Sequence, residues 1–236
     1  AGEVPDETVV LTILNGAGEA CDGMVDLPLG RDRVGTELVP PDTCLDWTQS
    51  YPTTLSQVEH TDIGLLVLGQ APVIDRLIDE QWQGPCDRPE GAIDWYLDDV
   101  EQRIEFLRAH DVEPMLALPA RFGKYATFMV PDDHPQRIDC VRSEMVRFAV
   151  DRNVAVIDLD PLLCIDGDCD ELRSADGVHV DPPFAPLVLD QLLDLVLSEH
   201  DSAVGEAAPT VEPTGGSTAE PTRRIASRPP PLPSIE

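Results

Sequence analysis

Asp176 and His179 stand three residues apart in RSADGVHVD, residues 173–181, between a cysteine-bounded loop and an apolar helical run. Histidine acts as a general base when a carboxylate fixes its tautomer and stabilises the imidazolium that forms when it takes a proton. On one turn, the two side chains can meet without help from distant parts of the chain. Such a pair would draw a proton from an attacking alcohol, which calls for a serine nearby. Ser174 is adjacent but sits in the same turn, and Ser143 falls inside a helical pattern. The plain alternative is a surface aspartate next to an unrelated histidine.

The other chemistry-bearing residues have quieter readings. Asp158 and Asp160 end an apolar run and, with Asp166, Asp168 and Asp170, form an acidic loop. Its DGDCDE stretch lacks the twelve-residue calcium pattern with a terminal Glu, so solvation is expected there, with no metal and no cofactor. Trp47, Trp82 and Trp95 could stack on sugar rings, but core or edge packing is the expectation. His60, His110, His134 and His200 neighbour polar or helix-end segments and are expected in solvent. Arg173 is expected to be structural, the other choice being an acidic sugar or loop carboxylate as its partner. Asp75 and Arg76 would line a cleft mouth or pair with surface neighbours.

The elements that must position these residues alternate. TVVLTILN (8–15), IGLLVLGQ (63–70), VEPMLALPA (112–120) and VAVIDLD (154–160) are short, continuously apolar runs, the pattern of strands buried on both faces of a parallel sheet. Between them Ile93, Leu97, Val100, Ile104 and Leu107 form a stripe at helical spacing. A second helix opens with Pro135, and FAPLVLDQLLDLVLSEHD forms the last one. The alternation predicts an α/β three-layer sandwich, a doubly wound and mostly parallel sheet, with function gathered at the carboxyl ends of its strands.

The chain has 236 residues and a net charge of −29, a surface that repels nucleic acid and anionic lipid. No apolar run approaches the roughly 18 residues of a membrane span. The six cysteines, Cys21, Cys44, Cys86, Cys140, Cys164 and Cys169, lack zinc-ligand spacing and allow 15 pairings. Disulfides in an extracytoplasmic setting are expected, against buried thiols in a cytosolic protein. Cys164 and Cys169 are spaced to close a short loop. The α/β domain is expected over 1–201, with a disordered tail rich in Pro, Thr and Ser over 202–236.

In their order these stretches resemble the SGNH (GDSL-like) hydrolase superfamily, most closely the SGNH domain associated with membrane acyltransferase-3 proteins. LNGAGEACDG (14–23) is similar to its second block, CLDWTQ (44–49) to its downstream Cys-x-x-Trp, LLVLGQAPVIDR (65–76) to its third block, and VIDLDPLLC (156–164) to the strand before its D-x-x-H turn. The resemblance implies a flavodoxin-like fold, a Cys21–Cys44 bridge, His179 as general base and Asp176 as its orienter. It also implies an oxyanion pocket near Ala20, Gly69 and Gln70. The chain departs from the family at Ala20, where glycine is usual, and at Gln70, where Asn or Trp-Asp stands.

The largest departure is the missing Gly-Asp-Ser. In this family it ends the first strand, which lies inside the sheet, and TVVLTILN reads as the second. Without the first strand, interior backbone groups lack partners, so the domain is expected to be amino-terminally incomplete. The expected function is an extracytoplasmic serine esterase or O-acyltransferase acting on acylated carbohydrate or a small ester of the cell envelope. The alternative is a catalytically inactive domain that binds glycan or a membrane acyltransferase partner.

Overall fold

The computed structural model describes residues 17–18, 21–22, 24–25, 28–32, 34–39, 46–56, 61–67, 71–87, 91–123, 126 and 133–207. Three of the expected strands form its centre: β5 (Ile63–Val67), β8 (Glu113–Leu118) and β9 (Ala155–Asp158). They lie side by side in chain order and all parallel, Ile63 opposite Glu113 and Met115 opposite Ala155. β8 is the middle strand, with Met115, Leu116 and Ala117 fully buried, as a run without alternation requires.

Each face of this sheet carries its own helical layer. On one side lie α2 (Ala92–Ala109) and α3 (His134–Arg152). The predicted stripe Ile93, Leu97, Val100, Ile104 and Leu107 packs there with Val141, Met145 and Phe148 against Leu66, Leu116 and Leu118. Gly64 lets β5 approach α2, since a Cβ there would stand 2.8 Å from Leu107 Cδ1. Pro135 lies in the first turn of α3, and Asn153 ends that helix in the left-handed conformation, at φ 51°. On the other side α4 (Asp160–Leu163) and α5 (Ala185–Ala207) cover Met115, Ala117 and Ile157 with Leu162, Leu163, Leu192 and Val196. Helices on both faces of a parallel sheet make the three-layer α/β sandwich.

The sequence did not announce a second, antiparallel sheet. Its strands are β3 (Gly30–Arg31), β4 (Glu37–Leu38), β6 (Asp75–Ile78) and β7 (Gln81–Gln83), in the order β4-β3-β6-β7. β1 (Ala17–Gly18) and β2 (Cys21–Asp22) make a two-stranded antiparallel pair. The helix α1 (Trp47–Leu55) opens on Asp46, whose carboxylate accepts the Gln49 N–H as an N-cap.

Asp99 of α2 ties these pieces together from inside. It accepts hydrogen bonds from the Trp47 indole at 3.1 Å, the Val25 N–H at 3.1 Å and the Arg103 guanidinium at 2.6 Å. Among the described residues two disulfides clamp the frame: Cys86–Cys140 joins the approach to α2 with α3, and Cys164–Cys169 closes the predicted loop. Among the described residues no helix is long and apolar enough to cross a membrane. The expected strand at 8–15, Cys44 and residues 208–236 lie outside the described residues, and α5 runs on to Ala207, past the expected boundary at 201.

Candidate active site

The segment carrying Asp176 and His179 is a small closed loop rather than an open connection. Asp181 N–H donates to Leu172 O at 2.9 Å, Ser174 N–H donates to His179 O at 2.8 Å, and Arg173 bridges Val180 in antiparallel fashion. At the tip, Gly177 N–H closes a turn onto Ser174 O at 2.9 Å. Gly177 has φ +70°, a conformation that a side chain disfavours, which explains the glycine inside D-G-V-H.

Within this loop the aspartate orients the histidine twice. Asp176 Oδ2 lies 2.7 Å from His179 Nδ1. Its other oxygen accepts from the Val178 N–H at 2.8 Å, the His179 N–H at 3.0 Å and the Ser174 hydroxyl at 2.8 Å. Desolvation pushes the Asp176 carboxyl up, but hydrogen bonds from the His179 ring, the two N–H groups and Ser174 outweigh it and hold it well below the ordinary carboxylate range. An ionised Asp176 facing Nδ1 favours the tautomer with its proton on Nδ1, leaving Nε2 to accept one. The imidazole is 75% exposed and the carboxylate 46%. The pair therefore faces the surface, open to an attacking group brought to it.

The loop stands at the carboxyl edge of the parallel sheet, held by charges that sequence reading did not connect. Asp160, at the start of α4, accepts the Arg121 N–H and Nε, each at 2.8 Å, and pairs with Arg121 Nη2. Arg142 of α3 places Nη2 2.8 Å from both oxygens of Asp158 and Nη1 2.8 Å from Pro119 O. The acidic residues ending β9 are thus taken by arginines. Arg173 reaches carbonyl groups at Val178 and Arg121, not a loop carboxylate, which leaves its structural reading standing. Nothing in the spacing of Arg121 or Arg142 signalled these roles; they follow from loops converging at one sheet edge.

The remaining candidates separate. Ala20, Gly69, Gln70 and His60 lie outside the described residues. Trp47 is core, packed on Tyr51 and Phe106, and Trp82 lies under the Arg31 guanidinium. His110 caps α2 through Phe106 O, while His134 is half-buried against Phe122 instead of fully solvated. Asp75 and Arg76 are buried in β6, a correction to a surface placement. Asp75 is held there by Arg31 and Arg137, each at 2.5 Å. Ser174 gives its hydroxyl to Asp176, and Ser143 gives its own to Asp139 O within α3.

Fold and site together define the class: an α/β three-layer sandwich bearing a coupled carboxylate and imidazole at the carboxyl edge of its parallel strands. No family model and no curated protein matches the chain. Among solved structures it is similar to a GDSL-like lipase from Bacteroides thetaiotaomicron, with a TM-score of 0.38 and 14% identity. That alignment covers 61% of this chain and 62% of the lipase.

Proposed function

We propose that this chain supplies the base and its orienter in an SGNH-type serine esterase or O-acyltransferase that works outside the cytoplasm. The observation that carries the proposal is the 2.7 Å contact between His179 Nδ1 and Asp176 Oδ2, on a turn whose backbone the same carboxylate fixes. The reaction calls for a serine nucleophile, which this reading puts on a Gly-Asp-Ser turn; residues 1–236 carry no such turn. Its hydroxyl gives its proton to His179 Nε2 while its oxygen bonds to the ester carbonyl carbon. The tetrahedral intermediate collapses as imidazolium returns the proton to the departing alkoxide. Water or a second hydroxyl then accepts the acyl group by the same route. Acylated envelope carbohydrate is the substrate class, and the two disulfides support an oxidising compartment. A membrane acyltransferase is the partner this reading assigns.

A second reading has its own observation. Ser50, Ser56, Ser143 and Ser174 each direct their hydroxyl to a backbone carbonyl or to Asp176 and not to the imidazole. That favours a glycan-binding domain without hydrolysis. A fluorophosphonate probe on the intact protein decides between them. Labelling that disappears in His179→Ala supports the enzyme; an intact protein that never labels supports the binder.

A further inference from the structure

We propose that Arg173 is a positioning residue for the Asp176–His179 pair, acting through the peptide group that joins Val178 to His179. This rests on reading the pair as the catalytic base and its orienter. That peptide is held at both ends: its N–H donates to Asp176 Oδ1 at 3.0 Å, and its carbonyl accepts from Arg173 Nη1. A carboxylate at the N–H end and a guanidinium at the carbonyl end align the peptide dipole with the field between two opposite charges. The imidazole hangs from this peptide, so its orientation fixes where the ring can point.

The other arm of the guanidinium anchors the arrangement to the sheet. Arg173 Nη2 donates to Arg121 O at 3.0 Å, in the segment leaving β8, and Arg121 is itself paired with Asp160. Nε of Arg173 is buried with no hydrogen-bond partner among the described residues. Holding two neutral carbonyls does not by itself require a half-buried cation whose buried Nε is left unmet, which is costly. The cost is understandable if the charge is what orients the peptide. Burial lowers the Arg173 pKa, while Asp160 and Asp176 raise it by attraction; at neutral pH the group remains a cation. Lysine, a compact point charge, cannot span both carbonyls.

The test is read on the imidazole and the carboxylate themselves in the full chain, with labelled histidine and aspartate followed by NMR. Wild-type His179 is expected as the Nδ1–H tautomer at neutral pH, with a slowly exchanging Nδ1 proton. In Arg173→Met the expected result is a mixed tautomer population, loss of that slow proton and an upward shift of the Asp176 titration. Arg173→Lys, which keeps the stem and the charge, gives the same readouts if the Met variant does not fold. Its expected result is partial restoration of the tautomer. A folded variant with the wild-type tautomer and an unmoved Asp176 titration overturns the proposal, whatever its melting temperature. Because neither readout depends on turnover, failure of the esterase reading is seen separately, in the probe labelling, and does not alter this result.

Discussion

The N–H of Gly123 donates to the carbonyl of Gly177 at 2.8 Å, joining the segment that leaves β8 to the glycine between Asp176 and His179. A Cβ at Gly123 would stand 2.4 Å from Asp170 Oδ1, 3.3 Å from Gly177 Cα and 3.4 Å from Cys169 O. Two glycines therefore meet where the middle strand supports the candidate base: a side chain at Gly123 would press on the Asp170 carboxylate and the Gly177 backbone, and Gly177 sits at φ +70°, which disfavours one.

Gly123→Ala should displace the Asp–His loop while leaving the sheet intact. Overpacking of this kind costs about 1–3 kcal/mol. A shift of about 1 Å at the base can cost on the order of 100-fold in rate. Probe-labelling rate and urea midpoint, measured on the same sample, check both halves of the expectation.

Asp176→Asn should abolish function without unfolding the protein. An amide oxygen can still accept the Val178 and His179 N–H groups, but it cannot stabilise an imidazolium. The expected loss is on the order of 1,000- to 10,000-fold in the labelling rate constant, with a modest fall in melting temperature because the ionised carboxylate that the loop stabilises is gone. A rate within tenfold of wild type would rule out Asp176 as the orienter.

Acid should weaken the fold through its paired carboxylates. Desolvation pushes Asp75 and Asp160 up, but hydrogen bonds from Arg137 and Arg31 to Asp75, and from Arg121 to Asp160, hold both below their ordinary value. The unfolded chain titrates such groups near about 3.9. Their stabilisation is therefore whole above that pH and is lost as pH falls through it toward the lower folded values. Melting temperature should hold between about pH 7 and 5 and fall below about pH 4. Asp75→Asn should melt lower at neutral pH and lose less on acidification. Added salt of about 0.5 M screens the repulsion of the acidic surface, so the comparison isolates the pairs.

The two disulfides should differ in what their loss costs. Cys86 and Cys140 are separated by 54 residues, Cys164 and Cys169 by 5. Chain-entropy estimates give about 4 kcal/mol for the first and about 2 kcal/mol for the second. Paired Cys→Ser variants, unfolded in urea, measure the difference.

Asp99→Ala should be among the most damaging single changes in the core. Asp99 and Arg103 side chains are each 5% exposed, so removing the carboxylate takes the 2.6 Å anionic partner from a buried guanidinium. The expected cost is about 3–5 kcal/mol. Combining Asp99→Leu with Arg103→Met should recover much of it, which a double-mutant cycle measures.

Much of this architecture was legible because its signals are local. Continuous apolarity marked β5, β8 and β9, and the stripe from Ile93 to Leu107 marked α2, since burial on both faces or on one leaves those periods in the sequence. The contact of Asp176 with His179 was legible for the same reason: one turn brings them together. The antiparallel sheet was not. β3 and β4 are two residues each, too short for a period; β4 pairs with β3, and β3 reaches β6 across more than forty positions. Arg121 and Arg142 were equally hidden, and Arg173, read as structural, could not be given its partners, because an arginine's partner is decided by which loops share a sheet edge.

The parallel strands also impose an order of arrival. β5, β8 and β9 are neighbours in space in the sequence in which they leave the ribosome, and the loop from Leu172 to Asp181 comes after all three. The shelf that carries the imidazole can be laid before the imidazole is synthesised. Damage to the final helix would then strip the shelf's far cover while leaving its other layer, packed by α2 and α3, already in place.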